Sequence, residues 1–583
     1  MHPSFPCRTL ALLGLMLSCI PALAAQIRID LAAGSEFPEL WRPALFVGYA
    51  NQAAMRELFA LPRLGMTRIE IESAIAASRN MDDYLRRLRG YRELIDRIRA
   101  KGGKVLVQIS KVPRWLSSDP SDRELCNGWK VYQAAPPRDP AAYGELVRRT
   151  VEYFNGELGY DLYYESWAEP DLEIGGRYCN WSGSQEQMVQ LLREIALGAR
   201  RGDPKARLVL PATGAWWSAV RSPLSGEALR ENFGRSLIAE VLGEFARTRS
   251  PDGTPLRPDF VSFHSFGPRR NLFAQGVRKV RARLDELGFD RTGLIISEWN
   301  AYLDKPLLNM AFYPGMLKYF LELGVDYATF ASLQDFRPLK IGARDYGMLT
   351  RTYTIRKPVF HVLELQARMD GQWLEVRREA EVVDAVASRD GERLYLLVWN
   401  YVDPLAQVQD FFIERGLARS LKEKGIDRRR LQAWITGRGS LPAARLSAGE
   451  RSQLEEARAL FNRLRSLSRT PREVAVELTG TDLESMSWRR WTVDARTNNP
   501  FAVYREATQR GASRDEAIAR VRERNELQPG ATGTWRRGEP FVVEVLPNSV
   551  QMLVFDLGEG TGAGVAAAPA PAGPEAGVSW EFD

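Results

Sequence analysis

Short apolar runs alternate with longer amphipathic segments along the first two thirds of the chain. Each run has a length and a bounding pattern of turn residues that are typical of a buried strand. The runs, taken from residue 44, are Ala44–Val47, Thr67–Ile71, Lys104–Ile109, Asp161–Glu165, Arg207–Leu210, Asp259–His264, Leu294–Glu298 and Tyr327–Ser332. The pattern therefore predicts eight strands with a connecting segment after each.

The connecting segments repeat Leu, Ile and Val at helical spacing. Asp139 is an expected N-cap, since Pro140 follows it at the first helical position. The predicted helices are Met81–Arg99, Pro140–Leu158, Ser184–Arg201, Ser236–Arg247, Phe273–Leu287, Met310–Leu323 and Val359–Met369. Only the link at 51–61 gives no clear pattern.

Strands that alternate with helices pair in parallel through right-handed crossovers. The sequence therefore predicts an α/β fold, a (β/α)8 TIM barrel over residues 26–370. The alternative is an open doubly wound sheet. That fold normally carries a glycine-rich phosphate turn after its first strand, and Val47-Gly48-Tyr49 is not such a turn.

After residue 371 the hydrophobic period changes to that of strands. Val382–Ala387 and Arg393–Tyr401 flank a link that contains Asp390-Gly391, a hairpin signal. These patterns predict an accessory β-sandwich over 371–557, with a charged helical insertion at about 412–470. The Ala/Pro/Gly-rich residues 558–583 hold few large side chains, and we expect a flexible tail there.

The first 25 residues resemble a targeting segment. Arg8 precedes the apolar run Leu10–Leu17, and Ala22-Leu23-Ala24 offers a small-residue cleavage site. We expect residues 1–25 to be a cleaved signal peptide of a secreted or periplasmic protein. Anchoring as a lipoprotein through Cys19 is the less favoured alternative. No later apolar run has the length of a membrane span.

Charge and cysteine content narrow the function classes. The 583 residues carry a net charge of +7, and no long basic arm indicates nucleic-acid binding. Only three histidines occur, and no Cys/His cluster indicates a metal, so we expect neither metal nor cofactor. In an exported protein Cys126 and Cys179 can form a disulfide. Two free thiols are the alternative. The sequence does not indicate an oligomeric state.

Two glutamates carry the candidate chemistry. Glu169 follows an apolar run and precedes Pro170, and Glu298 ends another run, beside Trp299. The carboxyl ends of barrel strands form the usual catalytic face. A retaining glycosidase needs two carboxyl groups about 5–5.5 Å apart, one protonated and one ionised. Glu169 and Glu298 are therefore the predicted catalytic pair.

Several motifs resemble glycoside hydrolase family 39 and, more widely, retaining (β/α)8 glycosidases with glutamates on strands four and seven. Trp167-Ala168-Glu169-Pro170 resembles the Trp-Asn-Glu-Pro acid/base motif, and Ser297-Glu298-Trp299 resembles the nucleophile motif. Further similar segments are Lys111–Leu116, Asp259–His264, Tyr346–Met348, Arg356–Pro358, Trp491–Asp494 and Asn498–Pro500. The resemblance implies Glu169 as acid/base, Glu298 as nucleophile and His264 beside the reactive sugar.

An oligo- or polysaccharide is the substrate that this resemblance implies, and an exported bacterial enzyme acting on an exopolysaccharide is the form we expect. Side chains expected to bind the sugar, besides His264, are Trp115, Trp167, Trp299, Asn300 and Gln334, with Trp216 and Trp217 as further candidates.

Two positions depart from the family pattern, since Ala168 replaces an Asn and Phe266 replaces a Tyr. These losses leave open a non-catalytic polysaccharide-binding protein. Transfer to another sugar instead of water is a third possibility with the same residues.

Overall fold

The computed structural model describes residues 25–126, 128–224, 226–302, 305–337, 345–441 and 445–558. Eight parallel strands close into a barrel in chain order, and the last strand pairs with the first. They are β1 Leu45–Phe46, β2 Thr67–Glu70, β3 Val105–Ile109, β4 Tyr163–Ser166, β5 Arg207–Thr213, β6 Phe260–Phe266, β7 Gly293–Asn300 and β8 Tyr327–Phe330. The TIM barrel predicted from the hydrophobic pattern is confirmed.

Helices surround the barrel between consecutive strands. Their bounds are Gln52–Ala60, Glu72–Ala76, Met81–Leu88, Arg92–Ala100, Pro140–Val151, Gln185–Gly202, Leu237–Arg247, Arg270–Glu286, Pro306–Glu322 and Pro358–Gln366. Asp139 caps its helix by accepting a hydrogen bond from the Ala141 N–H. The segment predicted as one helix from Met81 to Arg99 is broken by a 3₁₀ turn at Arg89–Tyr91, which contains Gly90, a poor helix former.

Two small hairpins lie on the carboxyl face of the barrel. One pairs Glu124–Cys126 with Trp129–Lys130 in the loop after β3, and the other pairs Glu173–Ile174 with Arg177–Tyr178 in the loop after β4. Short helices at Val131–Ala134 and Gly226–Glu231 complete this face.

The accessory domain is built on one nine-stranded sheet. Its order is Thr532–Arg536, Ser485–Val493, Val550–Asp556, Arg393–Asn400, Val383–Arg389, Gln372–Glu379, Ala25–Glu36, Arg472–Thr479 and Phe541–Val545. The sheet folds back on itself. This is shown by Phe541 on one edge strand, whose ring lies 5.6 Å from the rings of Phe555 and Trp488 on strands near the other edge. The two halves of the sheet enclose one apolar core, and this arrangement is the predicted β-sandwich.

The accessory sheet also takes in a strand that the sequence prediction assigned to the barrel. Ala25–Glu36 pairs antiparallel with Gln372–Glu379 and parallel with Arg472–Thr479. Its alternating residues Ile27 and Ile29 are buried in the sandwich core. The barrel therefore begins after residue 36 rather than at residue 26. Most of the predicted signal peptide, residues 1–24, and of the tail, residues 559–583, lies outside the described residues.

The predicted helical insertion forms a small body with its own apolar core. Its helices are Pro404–Glu414, Leu417–Glu423, Arg428–Ile435 and Ala448–Leu467. The insertion begins near residue 404, because Asp403 caps the first helix ahead of Pro404. A second helical pair, Pro500–Gln509 and Arg514–Glu523, was not predicted. In the described part of the chain no helix has the length and apolarity to cross a bilayer.

Candidate active site

Glu169 is placed by a strained turn directly after β4. Trp167 and Glu169 have positive φ angles of 70° and 44°, which non-glycine residues rarely adopt. The Glu169 N–H donates to the Ala212 carbonyl at 2.8 Å, and the Trp167 N–H donates to the Ile109 carbonyl at 2.8 Å. The turn is thereby anchored to both neighbouring strands, and the Glu169 carboxylate reaches the middle of the barrel mouth.

Glu298 lies inside β7, directly beside His264 of β6 in the strand register. The register of this pair shifts between Ser262 and His264, and such an irregularity re-aims side chains at barrel rims. His264 is buried. Its imidazole therefore occupies a fixed position between the two glutamates.

The two glutamates and His264 form one connected group. His264 Nδ1 lies 2.7 Å from Glu169 Oε1, and His264 Nε2 lies 3.8 Å from Glu298 Oε1. One ligand atom from each of the three side chains lies within 4.8 Å of the others. Carboxyl groups about 5–5.5 Å apart characterise retaining glycosidases, whereas inverting enzymes hold them about 6.5–9.5 Å apart. The arrangement fits the shorter class.

An arginine that the sequence reasoning missed completes this group. Arg68 of β2 is fully buried, and its Nη1 donates to Glu298 Oε1 at 2.8 Å while its Nε donates to Glu165 Oε2 at 2.5 Å. Glu165, on β4, is equally buried. A signal was present in both apolar runs, because a charged residue inside a buried strand requires a partner.

The pKa values of Glu169, His264 and Glu298 depend on one another. Burial raises the pKa of Glu169, but the hydrogen bond and charge of His264 outweigh this, so its pKa falls below the ordinary 4.5. Burial opposes the imidazolium, yet Glu298 and Glu169 hold the pKa of His264 above 6.5. Burial raises the pKa of Glu298, against the opposing charges of His264 and Arg68. Between Glu169 and His264, the proton is therefore held by His264 when no sugar is bound.

Further ionisable groups surround the pair at the ends of β2 and β3. Glu72 accepts hydrogen bonds from the Tyr49 hydroxyl and from Ser110 Oγ, both at 3.2 Å. Burial, with the charge of Glu72, raises the pKa of Glu70 well above its ordinary value. Burial lowers the pKa of Lys111, whose Nζ donates to Asn180 Oδ1 at 2.8 Å and lies over the Trp129 ring.

Most of the side chains predicted to bind sugar are buried around the site and contact protein groups instead. Trp167 and Trp299 are buried, the first bonded to the Asn180 carbonyl and the second stacked on Tyr313. Asn300 is buried and donates to the carbonyls of Ala331 and Tyr346.

Two other residues predicted to bind sugar donate hydrogen bonds to neighbouring loops. Gln334 is buried and donates to the Thr350 and Arg351 carbonyls. Trp115 is half-buried and donates to Ser78 Oγ. Trp216 is buried and Trp217 half-buried.

A disulfide joins the two hairpins beside the site. Cys126 and Cys179 are bonded to each other across 53 residues of sequence. The linked hairpins position Asn180, which accepts from both Lys111 Nζ and Trp167 Nε1. The disulfide thereby anchors the turn that carries Glu169.

The same three side chains have the donor types of a metal site, since two carboxylates and an imidazole converge. Two features oppose a cation there. His264 Nδ1 is engaged by Glu169 at 2.7 Å, and the guanidinium of Arg68 lies 2.8 Å from Glu298. A metal would compete with a fixed positive charge, so the group is better suited to proton transfer.

Neither a protein-family profile nor a curated protein sequence matches the chain. Solved structures do share its fold. A monomeric β-xylosidase from Caulobacter crescentus CB15 aligns over 91% of this chain and 99% of its own, with a TM-score of 0.62 and 16% identity. A GH39 enzyme from Xanthomonas axonopodis pv. citri aligns over 91% of this chain and 97% of its own, with a TM-score of 0.62 and 17% identity.

A third similar structure is the bacterial orthologue of human α-L-iduronidase, with a TM-score of 0.58, 14% identity and coverage of 92% of this chain and 84% of its own. The chain therefore has the fold of a class of glycosidases that includes family 39 enzymes, a barrel with an accessory β-domain. The likeness of fold that the sequence motifs indicated is confirmed.

Proposed function

We propose that the protein is a retaining glycoside hydrolase with Glu298 as nucleophile and Glu169 as acid/base. The observation that carries this proposal is the convergence of both carboxylates and His264 within 4.8 Å on the carboxyl face of the barrel. That face is where TIM-barrel enzymes place their chemistry. The similar folds of the structures compared above support the same class.

In this mechanism Glu298 attacks the anomeric carbon while Glu169 gives a proton to the leaving oxygen. The proton is at hand, because His264 Nδ1 lies 2.7 Å from Glu169 Oε1. When a bound sugar displaces water, the carboxylate of Glu169 is further desolvated and takes the proton from the imidazolium. Arg68, 2.8 Å from Glu298, favours the ionised nucleophile. Water activated by Glu169 then releases the sugar.

The proposed substrate is an oligo- or polysaccharide, and export with an exopolysaccharide substrate is the finer form of the proposal. Export rests on the pattern of residues 1–25. A polymer is favoured by the long loop after β3, in which the disulfide-linked hairpin borders the site.

The test is release of new reducing ends from bacterial exopolysaccharide by the wild-type protein and by Glu298→Gln. We expect wild-type turnover and its loss in the variant, because the amide cannot form the glycosyl intermediate. Val542→Ala, a change on an exposed strand of the accessory sheet, serves as the control. Turnover that survives in Glu298→Gln would remove Glu298 from the mechanism.

A non-catalytic polysaccharide-binding protein is the second candidate. It is favoured by Ala168, whose methyl group cannot bond a sugar hydroxyl, and by Phe266, which lacks a phenol. Retention of the wild-type protein on the polymer without new reducing ends would support this candidate over the enzyme.

A further inference from the structure

Exposed aromatic rings are concentrated beside the candidate active site. In the described part of the chain five large hydrophobic side chains are exposed, and three of them lie on the carboxyl face of the barrel. Phe266 is the last residue of β6, and Tyr49 and Phe336 follow β1 and β8. They are 38–40% exposed. An exposed apolar cluster of this kind marks an interaction site.

These rings form a continuous row with Tyr346. Tyr49 lies 5.2 Å from Phe336, Phe336 lies 5.6 Å from Tyr346, and Tyr346 lies 5.6 Å from Phe266. We name these four residues the aromatic rim. The rim ends at the catalytic group, because Phe266 packs 6.3 Å from the His264 ring.

The rim is held in place by hydrogen bonds to its backbone. Asn300 Nδ2 donates to the Tyr346 carbonyl at 2.9 Å, and the Tyr346 N–H donates to Asp345 Oδ1 at 2.7 Å. Arg351 donates to the Tyr49 carbonyl. Rigid aromatic faces with polar groups at their edges suit the apolar C–H faces and the hydroxyl edges of sugar rings.

Carboxylates lie against the inner side of the rim. The Tyr49 hydroxyl bonds Glu72 at 3.2 Å, and burial, with the charges of Glu169, Asp345 and Glu298, raises the pKa of Tyr346. Arg351, which donates to the Tyr49 carbonyl, and Arg337, which lowers the pKa of Tyr346, offset part of this negative charge. A polymer carboxylate turned toward Glu72, Glu169 and Glu298 would still meet like charges.

We propose that the aromatic rim is a binding subsite for successive sugar rings of a polysaccharide that carries no carboxylate groups. This inference rests on the proposed function and extends it to the substrate class. Four contiguous rings exceed what a single sugar ring covers, so the rim selects a polymer over a small glycoside. The inward carboxylates favour neutral or amino-bearing chains over acidic ones.

The test measures retention of Glu298→Gln protein on three immobilised probes: xylan, chitosan and alginate. Binding in this background is independent of turnover. We expect retention on xylan or chitosan and weaker retention on alginate. Phe336→Ala should lower retention about fivefold to tenfold, since truncating a central aromatic contact commonly costs more than about 1 kcal/mol. Phe336→Tyr should retain binding because it keeps the ring.

Val542→Ala is the matched control, because Val542 is a strongly exposed apolar side chain, 49% exposed, on a strand of the accessory sheet. Retention equal in Phe336→Ala and Val542→Ala, retention on none of the probes, or a preference for alginate would overturn the rim proposal. If the wild-type protein releases no reducing ends while binding still depends on Phe336, the hydrolase proposal is wrong and the rim proposal is supported.

Discussion

His264 lies between the two glutamates of the candidate active site, and its charge depends on both. It faces Glu169 at 2.7 Å and Glu298 at 3.8 Å, with the guanidinium of Arg68 opposing its protonation. The imidazole can hold the proton that Glu169 needs while it screens Glu298. We therefore propose that this strand-end histidine exchanges a proton with Glu169, which lies 2.7 Å away.

The stability of the protein should depend on pH through His264. Its pKa is raised above 6.5, so its charge stabilises the fold fully below that value and loses this effect as pH rises through the folded-state pKa. We expect the melting temperature of the wild type to exceed that of His264→Gln most near pH ~6, and the gap to shrink toward pH ~9. A gap that stays constant or widens over this range would contradict the assignment.

Arg68 should be the most costly charged residue of the site to remove. Arg68→Met leaves Glu165 buried without its partner, and losing one side of a buried pair costs about 3–5 kcal/mol of unfolding free energy. The double variant Arg68→Met/Glu165→Gln should recover part of that loss. Urea unfolding measures both. A cost below ~1 kcal/mol for the single variant, or no recovery in the double, would argue against the pairing.

Among single residues, those that directly follow an apolar run could be predicted from the sequence. Glu169 and Glu298 each follow an apolar run, and the strand ends brought them together with His264. Arg68 was missed although it is a charged residue inside an apolar run, because its partners Glu165 and Glu298 lie on other strands, 97 and 230 residues later in the chain. The aromatic rim could not be predicted, because the sequence does not show which aromatic side chains are exposed; Trp167 and Trp299, which were expected to bind sugar, are buried.

At the scale of elements, the two hairpins beside the site depend on their disulfide. The bond closes a 53-residue separation, and a loop of that length is expected to gain about 2–4 kcal/mol from the cross-link. The variant Cys126→Ser/Cys179→Ser should lose that much unfolding free energy in urea. A reductant should shift the wild-type midpoint similarly and leave the variant unchanged. Equal stability with and without the bond would contradict this role.

The eight strands were predictable because each run is apolar and short, and observed bounds differ from predicted ones mainly at strand ends. β5 continues through Pro211 to Thr213, and β6 continues to Phe266. Irregular register there extends the strands beyond the apolar pattern. Such irregularities have no hydrophobic signature, and so sequence periodicity alone could not place them.

In the whole molecule, the barrel and the accessory domain meet in a shared apolar cluster, and the accessory sandwich has a second core of its own. Trp41, before β1, packs 5.2 Å from Trp373 and 6.4 Å from Trp399 of the accessory sheet. Tyr302, after β7, donates to Asp403 at 2.7 Å. These contacts connect the loop after β7, the strand that carries Glu298, to the accessory domain.

The sandwich was predictable as a domain, but its full membership was not. Ala25–Glu36 belongs to it by pairing with strands that lie more than 300 residues later in the chain. Such long-range pairing follows from tertiary packing, and the local alternation of Ile27 and Ile29 does not identify the partner strand.

The stereochemistry of hydrolysis distinguishes a retaining mechanism from an inverting one. Proton NMR of a polysaccharide digest identifies the first-formed anomer before mutarotation equilibrates it. Two carboxylates within 4.8 Å predict an anomer with the configuration of the bond that was cleaved. An inverted anomer as the first product would contradict the retaining mechanism and the role of Glu298 as nucleophile.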